Sequence, residues 1–137
     1  MPSLVAIDGS ESSRLALEVA ARWAAESQTP LRIVVGWKTG FLDYEGSGGS
    51  GKVSPAQKRA NDMAQNAVAE VKAAYPLLEV EAVVKQGRAA DVILEAASDV
   101  SLIIMGARGR GHLASLLMGS VSREVMSRAD CPIYIIR

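Results

Sequence analysis

The chain has 137 residues, 49% of them hydrophobic and 22% charged, which suits one domain with a substantial core and excludes a disordered chain. Lys+Arg and Asp+Glu both number 15, so a net charge of zero gives no broad electrostatic hold on nucleic acid or a membrane surface. A single cysteine, Cys131, excludes an intramolecular disulfide and a cysteine-cluster metal site.

The opening MPSLVAIDGS runs directly into an apolar segment with no basic start, which reads as a cytoplasmic protein. No apolar run approaches the ~20 residues that would span a bilayer. Leu4-Val5-Ala6-Ile7 is a short continuous apolar run, the pattern of a strand covered on both faces. It ends at Asp8-Gly9-Ser10, where Ser10 can cap a helix and Glu11 suits its positive end. Leu15, Val19 and Trp23, with Ala16 and Ala20 beside them, then fall at helical spacing. Thr29-Pro30 breaks that pattern, and Leu31–Val35 reads as a second strand.

Residues 38–53 carry no periodicity, and about 40–53 read as a flexible Gly/Ser loop. Within them, Gly46, Gly51 and Lys52 match most of the phosphate-cradling pattern G-x-x-x-x-G-K-[ST]. The match fails on physical grounds. No buried strand precedes it, and Val53 stands where a Mg²⁺-binding hydroxyl is needed. The helix start signals, Ser54 and Pro55, come later. The regular Gly46-Ser47-Gly48-Gly49-Ser50-Gly51 run instead has linker composition. Its regularity suggests an engineered replacement of a longer loop, or a low-complexity insertion.

A second helix begins at Ser54-Pro55 with an apolar stripe of Ala60, Met63, Ala64, Ala67, Val68, Val71 and Ala74. Pro76 limits it. Val80–Val84 is a third strand whose partial alternation suggests one wetter face or an edge position. Gly87 turns the chain into a helix over 89–97. Leu102–Met105 is a fourth, fully apolar strand, followed by a loop and a helix to about Ala129. Pro132–Ile136 is the last strand. Strands alternating with helices imply an open, mostly parallel sheet with helices on both faces.

The informative glycines lie in the stretch from Met105 to Arg123. Gly106 follows the most apolar strand, Gly109 comes three residues on, and Gly119-Ser120 follows after nine more. Glycine lets backbone approach an anion closely. Ser120 and Ser122 open a helix, so N–H groups, hydroxyls and the helix dipole can face the same phosphates. In open α/β sheets, ligands bind beyond the C-terminal ends of strands where the strand order reverses. If the two most apolar strands are neighbours, Asp8-Gly9-Ser10 and Gly106-Ala107-Arg108-Gly109 line one crevice.

These features together resemble the universal stress protein family. The resemblance covers nearly the whole chain. It rests on the first strand ending in Asp8-Gly9-Ser10, on Gly87-Arg88-Ala89-Ala90-Asp91-Val92-Ile93, and on the spacing Gly106-x2-Gly109-x9-Gly119-Ser120. The terminal Ala129-Asp130-Cys131-Pro132-Ile133-Tyr134-Ile135-Ile136-Arg137 completes it. The glycine spacing is similar to that of the family's ATP-binding branch.

The resemblance implies five parallel strands in the order 3-2-1-4-5, a Rossmann-like fold akin to the adenine nucleotide alpha hydrolases. It implies adenine and ribose near Asp8 and the end of the second strand around Val35, with Gly106 near the ribose, and Gly9, Ser10, Met105 and Arg108 within the same nucleotide site. It implies phosphates at Gly109, Gly119, Ser120, Val121 and Ser122. It implies ATP as the ligand, with Mg²⁺ carried by the phosphates. It also puts Ile133, Tyr134, Ile135 and Ile136 at a sheet edge that relatives cover by forming a homodimer.

Arg108 and Arg110 can pair with phosphates or belong to a solvated loop surface. Lys38 is a weaker candidate. His112 is the only histidine, which excludes a metal site built on histidines and reads best as loop surface. Cys131 reads as inert packing. No catalytic constellation can be assembled, so the expectation is ATP binding with little or no hydrolysis, and no nucleic-acid or membrane partner. The alternatives are a slow ATPase on the same fold and a nucleotide-free interaction module or engineered scaffold.

Overall fold

The computed structural model describes residues 1–39, 53–108 and 118–137. Strands and helices alternate. They are β1 (Ser3–Ala6), α1 (Glu11–Ser27), β2 (Leu31–Trp37), α2 (Pro55–Ala74) and β3 (Val80–Gln86). There follow α3 (Ala89–Ala96), β4 (Leu102–Gly106), α4 (Ser120–Arg128) and β5 (Ile133–Ile136). The strands form one five-stranded sheet in the order β3-β2-β1-β4-β5. Every pairing is parallel. The order expected from the family resemblance is the order found.

The central strands β1, β2 and β4 bury both faces. Val5, Ile33, Val35 and Ile104 pack under α1 and α2. Leu4, Val34, Ile103 and Met105 point the other way, into a second core with Val92, Ile93 and Val125 from α3 and α4. This alternation is the period of two of a strand, with a helical layer on each side. β1 and β4 are neighbours at the sheet centre, with Val5 opposite Ile104.

Local signals start the first two helices. Ser10 and Ser54 take extended conformations, and each side-chain oxygen accepts from the N–H three residues on, Ser13 and Gln57, at 3.1 Å. Pro55 occupies the first turn of α2, where its missing N–H costs nothing. α1 closes at Gln28, which sits in the left-handed region at φ 57°.

The residues at helical spacing in α1 divide between its buried face and its flanks, with Ala16 and Ala20 buried. The residues against the sheet are Ser13, Ala16, Leu17, Ala20, Ala21 and Ala24. Leu15 and Val19 are only half-buried, and Trp23 is 45% exposed. Small residues let the helix axis approach the sheet, with Leu17 the one large side chain on that face, and Leu15, Val19 and Trp23 fall toward the flanks. In α2 the expected stripe holds at Ala60, Ala64, Ala67 and Val71, whereas Ala74 is exposed at the helix end. β2 and β3 each run two residues longer than expected, because Gly36 and Trp37 pair with Lys85 and Gln86 beyond the end of β1. β3 is the wetter edge strand that its alternation suggested.

Candidate functional site

The order reverses between β1 and β4, so the crevice forms above their C-terminal ends. β1 delivers Asp8-Gly9-Ser10 there. The Asp8 Oδ1 accepts from Ser10 N–H at 2.9 Å, closing a tight turn around Gly9 at φ +85°. Ser10 then caps α1 with its hydroxyl. Its side chain is therefore engaged by its own helix.

β4 delivers Gly106, Ala107 and Arg108. The course of this segment is held from two sides. From α1, Ser12 Oγ accepts the Arg108 N–H at 3.4 Å. From α4, Ser122 Oγ donates to the Gly106 carbonyl at 2.8 Å. The Gly119 N–H also donates to Ala107 O at 2.7 Å, seating the start of α4 on the end of β4.

The N-terminus of α4 contrasts with those of α1 and α2. Its N-cap is Gly119, which makes no side-chain cap. The first intrahelical bond runs from Arg123 N–H to Gly119 O. The N–H groups of Ser120, Val121 and Ser122 therefore have no partner within the helix. They carry the positive end of the helix dipole, the local geometry of an anion site. Ser120 is exposed, Val121 packs partly into the second core, and Ser122 is 3% exposed. The one hydroxyl hydrogen of Ser122 is committed to Gly106, so Ser122 offers a ligand its backbone N–H.

Val35 and Met105 are core residues in their side chains, at 2% and 4% exposure. Their backbones face away from the crevice as well. Val34 O accepts from Ile7 of the β1 side, and Trp37 O accepts from Gly87 of the β3 side. Backbone groups along a strand alternate between its neighbours, so Val35 turns toward β3 and Gly36 toward β1. Gly36 lies beyond Ala6↔Val34, the last β1–β2 pair, and is exposed. Gly36 is thus the β2 residue that presents main chain to the crevice, and no pattern in the sequence marked it. By the same alternation, Ile103 and Ala107 bond toward β5, and Met105 with them.

Arg108 and Lys38 are exposed at the crevice end of their strands. Gly109, Arg110, His112 and the Gly46–Gly51 run lie outside the described residues. Cys131 is half-buried beside the second core, and burial, then the neighbouring Asp130, pushes its thiol pKa up, away from the reactive thiolate. A separate cavity of about 650 Å³ opens at the opposite end of the sheet, lined by Ala24, Pro30, Tyr75 and Leu78 among others.

The comparisons agree with this architecture. The universal stress protein family model matches residues 2–137. The chain belongs to the universal stress protein family. It is 35% identical over 136 residues to the Thermus aquaticus universal stress protein in QAH/OAS sulfhydrylase 3'region, covering 98% of this chain and 96% of the relative. It is 32% identical over 145 residues to universal stress protein YxiE of Bacillus subtilis, covering 98% and 97%. Among solved structures, a universal stress protein from Archaeoglobus fulgidus superposes with a TM-score of 0.80 at 25% identity, over 100% of this chain and 98% of that one. Two more share the fold. One is a universal stress protein in complex with cAMP, with a TM-score of 0.76, 23% identity and coverage of 100% and 97%. The other is the Archaeoglobus fulgidus protein in complex with dAMP, with a TM-score of 0.72, 24% identity and coverage of 100% and 98%. No helix among the described residues of this universal stress protein is long and apolar enough to cross a membrane.

Proposed function

We propose that this universal stress protein is an adenine-nucleotide-binding module whose ligand is ATP, with Mg²⁺ carried by the phosphates. It acts as a homodimeric, nucleotide-responsive stress and signalling domain of the cytoplasm, with residues 1–137 forming one domain. The observation that carries the reading is the uncapped first turn of α4, seated on the end of β4. Its free N–H groups favour an anion, and the adjacent strand β1 ends in the Asp8 carboxylate, a natural acceptor for ribose hydroxyls. An anion at one end and a polyol at the other describe a nucleotide. The relatives in complex with cAMP and dAMP support adenine as the base.

In this reading Ser120, Val121 and Ser122 meet the phosphates through their N–H groups, with Gly109 and Gly119 allowing close approach. Gly106, Gly9 and Ser10 flank the ribose, and Arg108 adds charge. The adenine lies at the end of β2, against the main chain of Gly36 next to Val35. Hydrolysis needs a positioned water, metal ligands and charge stabilisation. The reading spends Asp8 on the ribose and assigns no other carboxylate, so it expects little or no turnover.

A thermal melt with Mg-ATP, ADP, AMP and cAMP tests this. A ligand at ~100 times its Kd stabilises the fold by about 2.7 kcal/mol, a readily seen shift. The largest shift is expected with ATP. No shift with any of the four would overturn the reading.

A further inference from the structure

We propose that Ser13 is the positioning residue for Asp8, and that through Asp8 it sets how strongly the site prefers a nucleotide with ribose hydroxyls. The proposal rests on the nucleotide reading above. Ser13 lies in the first turn of α1 and is 6% exposed, so its hydroxyl has no solvent to satisfy it. The Ser13 Oγ accepts the Asp8 N–H at 3.2 Å and donates its one hydrogen to Ser10 O at 3.0 Å. Its own N–H donates to Ser10 Oγ at 3.1 Å, and the Ser10 N–H donates to Asp8 Oδ1 at 2.9 Å.

These four bonds close a circuit around Asp8-Gly9-Ser10. The hydroxyl direction of Ser13 is fixed, because its hydrogen is already given to Ser10 and it can only accept from Asp8. The Asp8 peptide is fixed in turn, and one carboxylate oxygen is tied back to Ser10. The other oxygen then has a defined position above the end of β1.

The loss of this hydroxyl falls unevenly. Ser10 O also accepts the Arg14 N–H at 3.0 Å, so it stays paired in a Ser13→Ala variant. Asp8 N–H loses its acceptor. The helix therefore keeps its bonds, and the Asp8 turn slackens. A slack Asp8 costs the contact with ribose hydroxyls and spares those with base and phosphates.

The experiment is calorimetric titration of Mg-ATP and of Mg-2′,3′-dideoxy-ATP into wild type, Asp8→Ala, Ser13→Ala and Ser13→Cys, with a ligand-free melt of each. Wild type is expected to prefer ATP, and Asp8→Ala to lose that preference. Ser13→Ala is expected to cut the preference about fivefold, the worth of one hydrogen bond, with dideoxy-ATP affinity unchanged. Ser13→Cys, of similar size and with a weaker hydrogen-bonding group, gives a smaller loss in the same direction and serves if the alanine variant does not fold.

A Ser13→Ala protein that keeps the wild-type preference, or loses affinity equally for both ligands, overturns the proposal while the nucleotide reading stands. Equal wild-type affinity for both ligands overturns the ribose assignment of Asp8. A wild type that binds neither overturns the nucleotide reading and the proposal together.

Discussion

Gly106 and Ser12 are packed so tightly that a Cβ on Gly106 would lie 2.2 Å from Ser12 Oγ and 2.8 Å from both the Cβ and the carbonyl carbon of Ser12. The first turn of α1 lies directly against the exit of β4, and the glycine is what allows it. Gly106 thus owes its identity to helix packing as well as to any ligand. Gly106→Ala is expected to destabilise the ligand-free protein by about 1–3 kcal/mol, the usual cost of overpacking. Adding Ser12→Gly removes two of the three contacts and should recover more than adding Ser12→Ala, which keeps the Cβ. Chemical denaturation of the three variants checks the order. An undisturbed Gly106→Ala would show that α1 is not wedged against β4.

Gly119 separates stability from binding. Its φ of −64° and ψ of 163° are ordinary extended backbone, open to any residue. An aspartate there would cap α4 and complement its dipole, which favours the fold by a few tenths of a kcal/mol over glycine. The same carboxylate would stand where the phosphates are proposed to bind. Gly119→Asp should therefore melt slightly higher than wild type without ligand and lose the ATP-induced shift. Gly119→Val should lose the shift and melt somewhat lower than wild type without ligand, since valine is a poorer N-cap than glycine. A retained shift in both variants would move the phosphates elsewhere.

Much of this was legible locally. Ser10 and Ser54 marked the starts of α1 and α2, because a cap is a property of a few consecutive residues. The spacing and position of the glycines before α4 likewise pointed to the junction of β4 and α4, where Gly106 and Gly119 are found. The buried face of α1 was not legible. Leu15, Val19 and Trp23 are large and apolar, but the face turned to the sheet carries Leu17 among small residues instead. Gly36 was missed because main-chain direction depends on register with two neighbouring strands. Ser13 was missed for a related reason. A serine in a helix carries no mark of burial until the Asp8 turn folds back onto it.

Charge ties the layers together away from the crevice, and these ties should respond to pH. Arg32, whose side chain is 15% exposed, donates to Glu81 at 2.6 Å, to Asp99 at 2.5 Å and to Ala96 O at 2.7 Å. Arg128 bridges Asp91 at 3.0 Å and Glu124 at 2.5 Å, linking α3 to α4. The Arg32 hydrogen bond holds the Asp99 carboxyl below its usual range, and that of Arg128 does the same for Asp91. A carboxylate with a lowered folded pKa stabilises the fold fully above its unfolded value of about 3.9, and that contribution disappears as pH falls through the folded value. The melting temperatures of wild type and of Asp91→Asn/Asp99→Asn should therefore differ at pH 7, begin to converge below about pH 4, and meet only as pH falls through the lowered folded values, where the wild-type carboxyls also become neutral. A difference that does not shrink at all on acidification below about pH 4 would remove these pairs as the cause.

The free edge of β5 offers the last test, that of the proposed homodimer. Among the described residues β5 pairs only with β4 and ends the sheet. Pro132 O and Ile136 O accept from Ile103 and Ala107 of the β4 side, so alternation turns the main chain of Ile133 and Ile135 outward. Tyr134, 51% exposed, stands on the same strand. An open apolar edge invites another strand. If two β5 edges join through the main chain, Ile135→Pro removes an outward N–H without touching the bonds to β4, since proline is tolerated on an edge strand. Sedimentation at micromolar concentration should then give a dimer for wild type and a monomer for Ile135→Pro, with the ligand-free melt largely kept. Tyr134→Lys should shift the equilibrium in the same direction by placing charge at the joint. A wild type that sediments as a monomer would refute the dimer outright, and a dimer that survives Ile135→Pro would move the interface to another surface.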